Sequence, residues 1–275
     1  MLRTHLILAL FLPLAMLGCS DNDQPTATAG GSQTVVATTP LLADITRTLL
    51  DGVQADVATL IPADQDARTF SEEGIDTKLV DARLVVFNGL NFEAGLSQSL
   101  ASLSNGVAVA DFVPADQRIA TDAFGGDYDP HVYMDVGLFA EHGVVGLAGR
   151  LKEAFPADAA RIDENLQGLL GNLARLDSYA EAAMTRVPEA QRVLVTDDPG
   201  FAYFANAYGL AVQTGGEAID EPIFARAPDL QDKFESTYLG MMDHNVTVIA
   251  SELGAPGIDV HGAFGRLTLG HDHDH

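Results

Sequence analysis

His131 lies between two carboxylates in the run Asp129-Pro130-His131-Val132-Tyr133-Met134-Asp135. A neutral imidazole is the commonest protein ligand for a divalent metal. Pro130 fixes its own φ and biases Asp129 toward an extended conformation. His131 is therefore presented from a constrained backbone, which suits a metal ligand. An isolated histidine beside a helix start is more often a surface residue, so the rest of the chain must supply partners. Three further imidazoles, His271, His273 and His275, alternate with Asp272 and Asp274 at the chain end. Such a tract can bind divalent metal weakly. The chain has no His-Glu-x-x-His, no Gly-x-Ser-x-Gly and no Gly-rich phosphate loop, so a hydrolase ranks low.

The elements that must position His131 follow from hydrophobic periodicity. Thr34–Thr38, Val57–Ile61, Leu84–Phe87 and Val107–Phe112 read as short buried strands. The segments between them, 41–50, 75–82 and 92–103, have helical spacing. Alternation of this kind predicts an α/β fold with a parallel sheet covered on both faces. Ligands in such sheets sit at the carboxyl ends of the strands, and His131 falls in the loop after the fourth. Asp135 can cap a helix over Val136–Leu151. Pro156–Val187 carries one apolar stripe, Ile162, Leu166, Leu169, Leu170, Leu173, Leu176 and Tyr179. A helix of that length reaches ~45 Å, long enough to join two lobes. Beyond it, Arg192–Thr196 is a strand, Asp197–Gly200 a turn and Phe201–Tyr208 a helix. Only Leu210–Thr214 follows as a second strand, so the second lobe is reduced.

Composition narrows the partners. The chain has 275 residues and a formal charge of −24, which argues against nucleic acid and anionic membrane surfaces. Arg3, the apolar run Leu6–Leu17 and Leu17-Gly18-Cys19-Ser20 resemble a bacterial lipoprotein signal, with Cys19 as the lipidated residue. Cys19 is the sole cysteine, so no intramolecular disulfide can form. The expected organisation is a signal at 1–19, a Pro-, Gly-, Ser- and Thr-containing tether at 20–33, an N-terminal lobe at 34–137, connecting helices at 138–190, a reduced C-terminal lobe at 191–254 and a tail at 255–275.

Five segments, in order, resemble the metal-ion substrate-binding lipoproteins of bacterial ABC importers. They are Val36-Ala37-Thr38-Thr39 with Leu42-Ala43-Asp44-Ile45, Leu84 to Leu90, Asp129 to Asp135, Leu194 to Leu210, and Tyr238 to Met242 with His244-Asn245-Val246. The resemblance implies two α/β lobes joined by a long helix, with one metal between them and two ligands from each lobe. It implies Zn2+ or Mn2+ as cargo, with Fe2+ a third candidate, no enzymatic activity, a permease partner, a lipid-anchored extracytoplasmic location and a monomer. By the same resemblance His131 is the second ligand and Asp198 the third. The fourth falls on Asp220, with Glu221 the alternative. The first-ligand position holds Arg68 in Asp66-Ala67-Arg68-Thr69-Phe70, and a guanidinium has no lone pair to donate. Arg68 is expected to turn into the cleft and pair with Asp198 or Asp220, the alternative being an outward swing to Asp66 or Glu72. The alternative reading is a degenerate family member, an accessory metal carrier or interaction protein with no transport role.

Overall fold

The computed structural model describes residues 33–71, 75–213, 215, 222–226 and 234–258, with the backbone alone at 76–78 and 235. Cys19, Asp220, Glu221, His271, His273 and His275 lie outside the described residues. The described residues cluster as one compact unit.

The first half alternates as expected. Strands β1 (Thr34–Ala37), β2 (Asp56–Thr59), β3 (Leu84–Phe87) and β4 (Gly106–Ala108) are separated by helices α1 (Pro40–Leu49), α2 (Ile75–Val80) and α3 (Ser97–Ala101). All pairings are parallel and the spatial order is β2-β1-β3-β4. Val36 sits opposite Val85, and Val86 opposite Val107. Val35, Val85 and Val86 are fully buried, as strands covered on both faces require. Helix α1 starts cleanly because Thr39 accepts a hydrogen bond from the Leu42 amide and Pro40 fills the first turn.

Two elements are shorter than periodicity predicts. The fourth strand stops at Ala108, and Val109–Phe112 turns as a 3-10 helix. Val109 and Ala110 enter the core there, and the Ala110 amide donates to the Asn88 carbonyl. The helix expected over 92–103 is reduced to a 3-10 turn at Ala94–Leu96 followed by α3. It begins late because Leu90 and Asn91 both take left-handed backbone angles, φ 49° and 64°. Tertiary contacts override the local pattern in both places.

After His131, α4 (Val136–Leu138) runs through a π-helical stretch at Phe139–Val144 into α5 (Val145–Ala154). Asp135 caps α4, accepting from the Leu138 amide at 2.9 Å. Helix α6 (Ala159–Thr185) has 27 residues, about 40 Å of rod. It packs against α1, α4 and α5 on one side of the sequence and against α7 (Ala202–Tyr208) and α8 (Tyr238–Glu252) on the other. Strands β5 (Val193–Val195) and β6 (Ala211–Gln213) form a separate two-stranded parallel sheet. They are the only strands described beyond α6.

Candidate metal site

Four loops meet at the carboxyl ends of the strands: 61–70 after β2, 88–93 after β3, 109–131 after β4 and 196–200 after β5. They enclose a cavity of about 300 Å³ whose lining includes Arg68, Phe124, His131, Asp198 and Arg226.

His131 is 7 % exposed and Asp129 1 %. The Asp129 carboxylate lies 2.7 Å from His131 Nδ1 and also accepts the His131 amide at 2.9 Å. A carboxylate can only accept, so Nδ1 carries a proton, and in the neutral imidazole the lone pair then sits on Nε2. Among the described residues Nε2 has no hydrogen-bond partner. This carboxylate-to-imidazole arrangement fixes the tautomer and the ring orientation. Phe92, Phe124 and Tyr133 surround the ring edge-on, with centroids 5.5, 5.0 and 5.8 Å away.

A buried network holds this loop. Glu93 accepts from the Thr38 hydroxyl at 2.6 Å and from the Asn88 and Gly89 amides at 2.7 and 3.3 Å. Asn88 in turn donates to the Pro130 carbonyl at 2.9 Å. Burial pushes the Glu93 carboxyl above its ordinary range, and its hydrogen bonds only partly oppose that. The left-handed turn at residues 89–91 carries Asn91, whose amide donates to the Phe124 carbonyl at 2.8 Å. Phe124 is thereby pinned over both His131 and Arg68.

The second half approaches through Asp198-Pro199-Gly200. Asp198 accepts from the Gly200 amide at 2.9 Å and starts a 3-10 turn. A β-carbon at Gly200 would lie 2.9 Å from His131 Cδ2, 2.9 Å from Ala225 Cβ and 3.1 Å from Asp198 Oδ1. Glycine is therefore what lets this turn lie against the imidazole, and His131 and Asp198 face one small volume. The buried Tyr133 phenol donates to the Ala225 carbonyl at 2.7 Å, a second link between the halves. Burial raises the Tyr133 phenol well above its usual value, and the charges of Asp198 and Asp129 add to the rise.

The sequence-derived set is thus partly assembled. His131 and Asp198 converge and Arg68 lines the same cavity, while Asp220, Glu221, His271, His273 and His275 are outside the described residues. No three His, Cys, Asp or Glu side chains among the described residues gather as a metal site. The donors in place still fit a borderline cation, one oriented imidazole and one carboxylate. The pairing expected of Arg68 with Asp198 is not what forms. The Arg68 guanidinium lies 5.7 Å from the Phe124 ring centroid and makes no ion pair among the described residues. The aromatic face takes the cation, while Asp66 engages the Arg68 amide at 2.9 Å and the Arg226 guanidinium at 3.8 Å. Sequence reasoning gave no role to Asp129, Glu93 or Arg226. The Asp-x-His spacing was a readable signal for the first. Arg226 had none.

Residues 35–235 match the family model described as zinc-uptake complex component A, periplasmic. The zinc-binding protein TroA of Treponema pallidum is 28% identical over 210 residues, 75% of this chain and 67% of that protein. The manganese-binding lipoprotein MntA of Bacillus subtilis is 29% identical over 208 residues, 74% of this chain and 67% of that protein. The solved structure of TroA superposes with a TM-score of 0.73 at 24% identity, covering 81% of this chain and 99% of that one.

Proposed function

Because this chain belongs to the zinc-uptake complex component A family, we infer that it is the substrate-binding component of an ABC importer for a divalent metal ion. The metal is cargo, held and released rather than used in catalysis. Zn2+ and Mn2+ are the leading candidates and Fe2+ follows, since imidazole with carboxylate suits all three. The partner is the importer's permease.

The observation that carries this reading is His131, nearly buried and oriented by Asp129, with Asp198 across the same cavity. In this reading His131 Nε2 and Asp198 bind the ion, and Asp220 or Glu221 supplies a further carboxylate. The same relationship supports an extracytoplasmic location. Cys19 would then carry the lipid anchor, with the chain working as a monomer.

Stoichiometric titration of the mature chain lacking residues 271–275 tests the site. One tight Mn2+ or Zn2+ per chain is expected, weakened at least ~100-fold, or ~2.7 kcal/mol, by His131→Ala. Binding unaffected by that substitution would remove His131 from the site. Binding seen only when residues 271–275 are present would instead favour an accessory carrier. Cys19→Ala should leave an unprocessed or soluble product, and membrane association unchanged by it would contradict lipidation there.

A further inference from the structure

The cavity presents more positive charge than a site for a bare cation should. Arg68 and Arg226 both line it beside His131 and Asp198. Arg226 is tied loosely to Asp66 at 3.8 Å, but among the described residues Arg68 has an aromatic face in place of a carboxylate. A fixed guanidinium repels a divalent ion and cannot deprotonate to escape.

Two observations point to the same remedy. Both guanidinium groups line the volume that His131 and Asp198 face, and no carboxylate among the described residues forms an ion pair with Arg68. A volume of about 300 Å³ is at the lower end of the ~300–1,000 Å³ typical of small-molecule pockets and far exceeds a single ion.

We propose that this site binds its metal together with a small carboxylate-type oxyanion, held by Arg68 and Arg226, whose oxygens complete the metal's coordination. The inference rests on the metal-binding reading above. A planar guanidinium fork matches a planar oxyanion bidentately, and Phe124 holds that fork on the cavity wall. Arg68, useless as a metal ligand, becomes the anion's ligand. Metal and anion then raise each other's affinity by the same factor.

The test is Mn2+ affinity of the chain lacking residues 271–275, read from the EPR signal of free Mn2+ at fixed pH and ionic strength. Three buffers are compared: chloride alone, chloride with about 10 mM bicarbonate, and chloride with about 10 mM acetate. Wild type is expected to bind at least tenfold more tightly with an oxyanion present. Enhancement by bicarbonate alone assigns an inorganic anion; by acetate alone, an organic carboxylate; by both, a general carboxylate site. Arg68→Gln should bind Mn2+ somewhat better than wild type in chloride and lose the enhancement. Arg226→Gln should reduce the enhancement, and serves as the second variant should the first fold poorly. Equal affinity in all three buffers, or an enhancement that survives both substitutions, overturns the proposal and leaves the metal site standing. Absence of tight Mn2+ binding in every buffer overturns both.

Discussion

The chemistry of this chain depends on which nitrogen of His131 is free, and that is decided by Asp129. With Nδ1 held at 2.7 Å, the imidazole presents Nε2 to the cavity without paying rotamer entropy on binding. Removing the acceptor by Asp129→Ala should lower metal affinity roughly 10–100-fold through loss of orientation. It should also destabilise the fold by ~1–3 kcal/mol, because the His131 amide and Nδ1 lose their partner in a buried place. Metal titration and urea unfolding of the same variant check the two effects. A stable variant with wild-type affinity would mean that packing by Phe92, Phe124 and Tyr133 alone sets the ring. Arg68 is the complementary case, a charge where a donor would serve. Arg68→His removes the repulsion and supplies an imidazole. In chloride buffer it should raise Mn2+ and Zn2+ affinity by at least ~100-fold, about 2.7 kcal/mol. Equal affinities for wild type and Arg68→His would show that position 68 neither opposes nor contacts the ion.

At the scale of elements, the turn after β3 gathers the site's supports. Thr38 from the end of β1, the Asn88 and Gly89 amides and the Glu93 carboxylate form one buried cluster. A carboxyl raised by burial keeps its proton in the folded chain at pH values where the unfolded chain has lost it. Its contribution is therefore intact below the ordinary value of 4.5 and is lost as pH rises through the raised folded value. Asp44 and Asp135, also raised chiefly by burial, act in the same direction from 3.8 upward. Glu93→Gln should flatten the fall in stability between pH 4.5 and neutrality, measured as urea midpoints across that range. Parallel profiles for variant and wild type would place the titration elsewhere. The same turn marks the limit of what sequence could disclose. The strands β1 and β3, the stripe on α6 and the Asp135 cap were legible because each depends on neighbours a few residues away. The left-handed angles at Leu90 and Asn91 were not, since neither is glycine and only the long-range bond from Asn91 to Phe124 accounts for the second. The break in the helix expected over 136–151 was equally hidden. There Gly143 lies so close to the Phe139 ring that a β-carbon would meet it at 2.7 Å, an approach no periodicity encodes. Around the cavity, His131 and Asp198 stand in segments that the sequence singles out, whereas the position of Arg226 depends on a loop with no local signature.

At the scale of the molecule, α6 is the shared surface. Asn165 donates to the Leu49 and Asp51 carbonyls at 3.0 and 2.8 Å, fastening the end of α1. Farther along, Asp177 accepts from the Tyr208 hydroxyl at 2.9 Å, and Tyr179 bonds Thr247 of α8 at 2.8 Å. Leu173 and Leu176 between them are fully buried. One helix thus holds the elements of both sheets, and its core positions are common to both. Leu173→Ala should cost ~2–5 kcal/mol and lower a single transition seen alike by calorimetry and far-UV circular dichroism. At ~2–4 °C per kcal/mol for a body of this size, that is a fall of at least ~4 °C. Metal should act on the same transition from the opposite direction. A ligand that binds only the folded state adds ~2.7 kcal/mol at one hundred times its Kd. Because His131 comes from the loop after β4 and Asp198 from the loop after β5, an ion held by both ties the two halves at a further point besides α6. Saturating Mn2+ should therefore raise the one transition by ~5–10 °C in wild type and leave His131→Ala nearly unmoved. Two transitions, only one of them shifted by metal, would mean that the halves unfold separately and that the ion is bound within a single half.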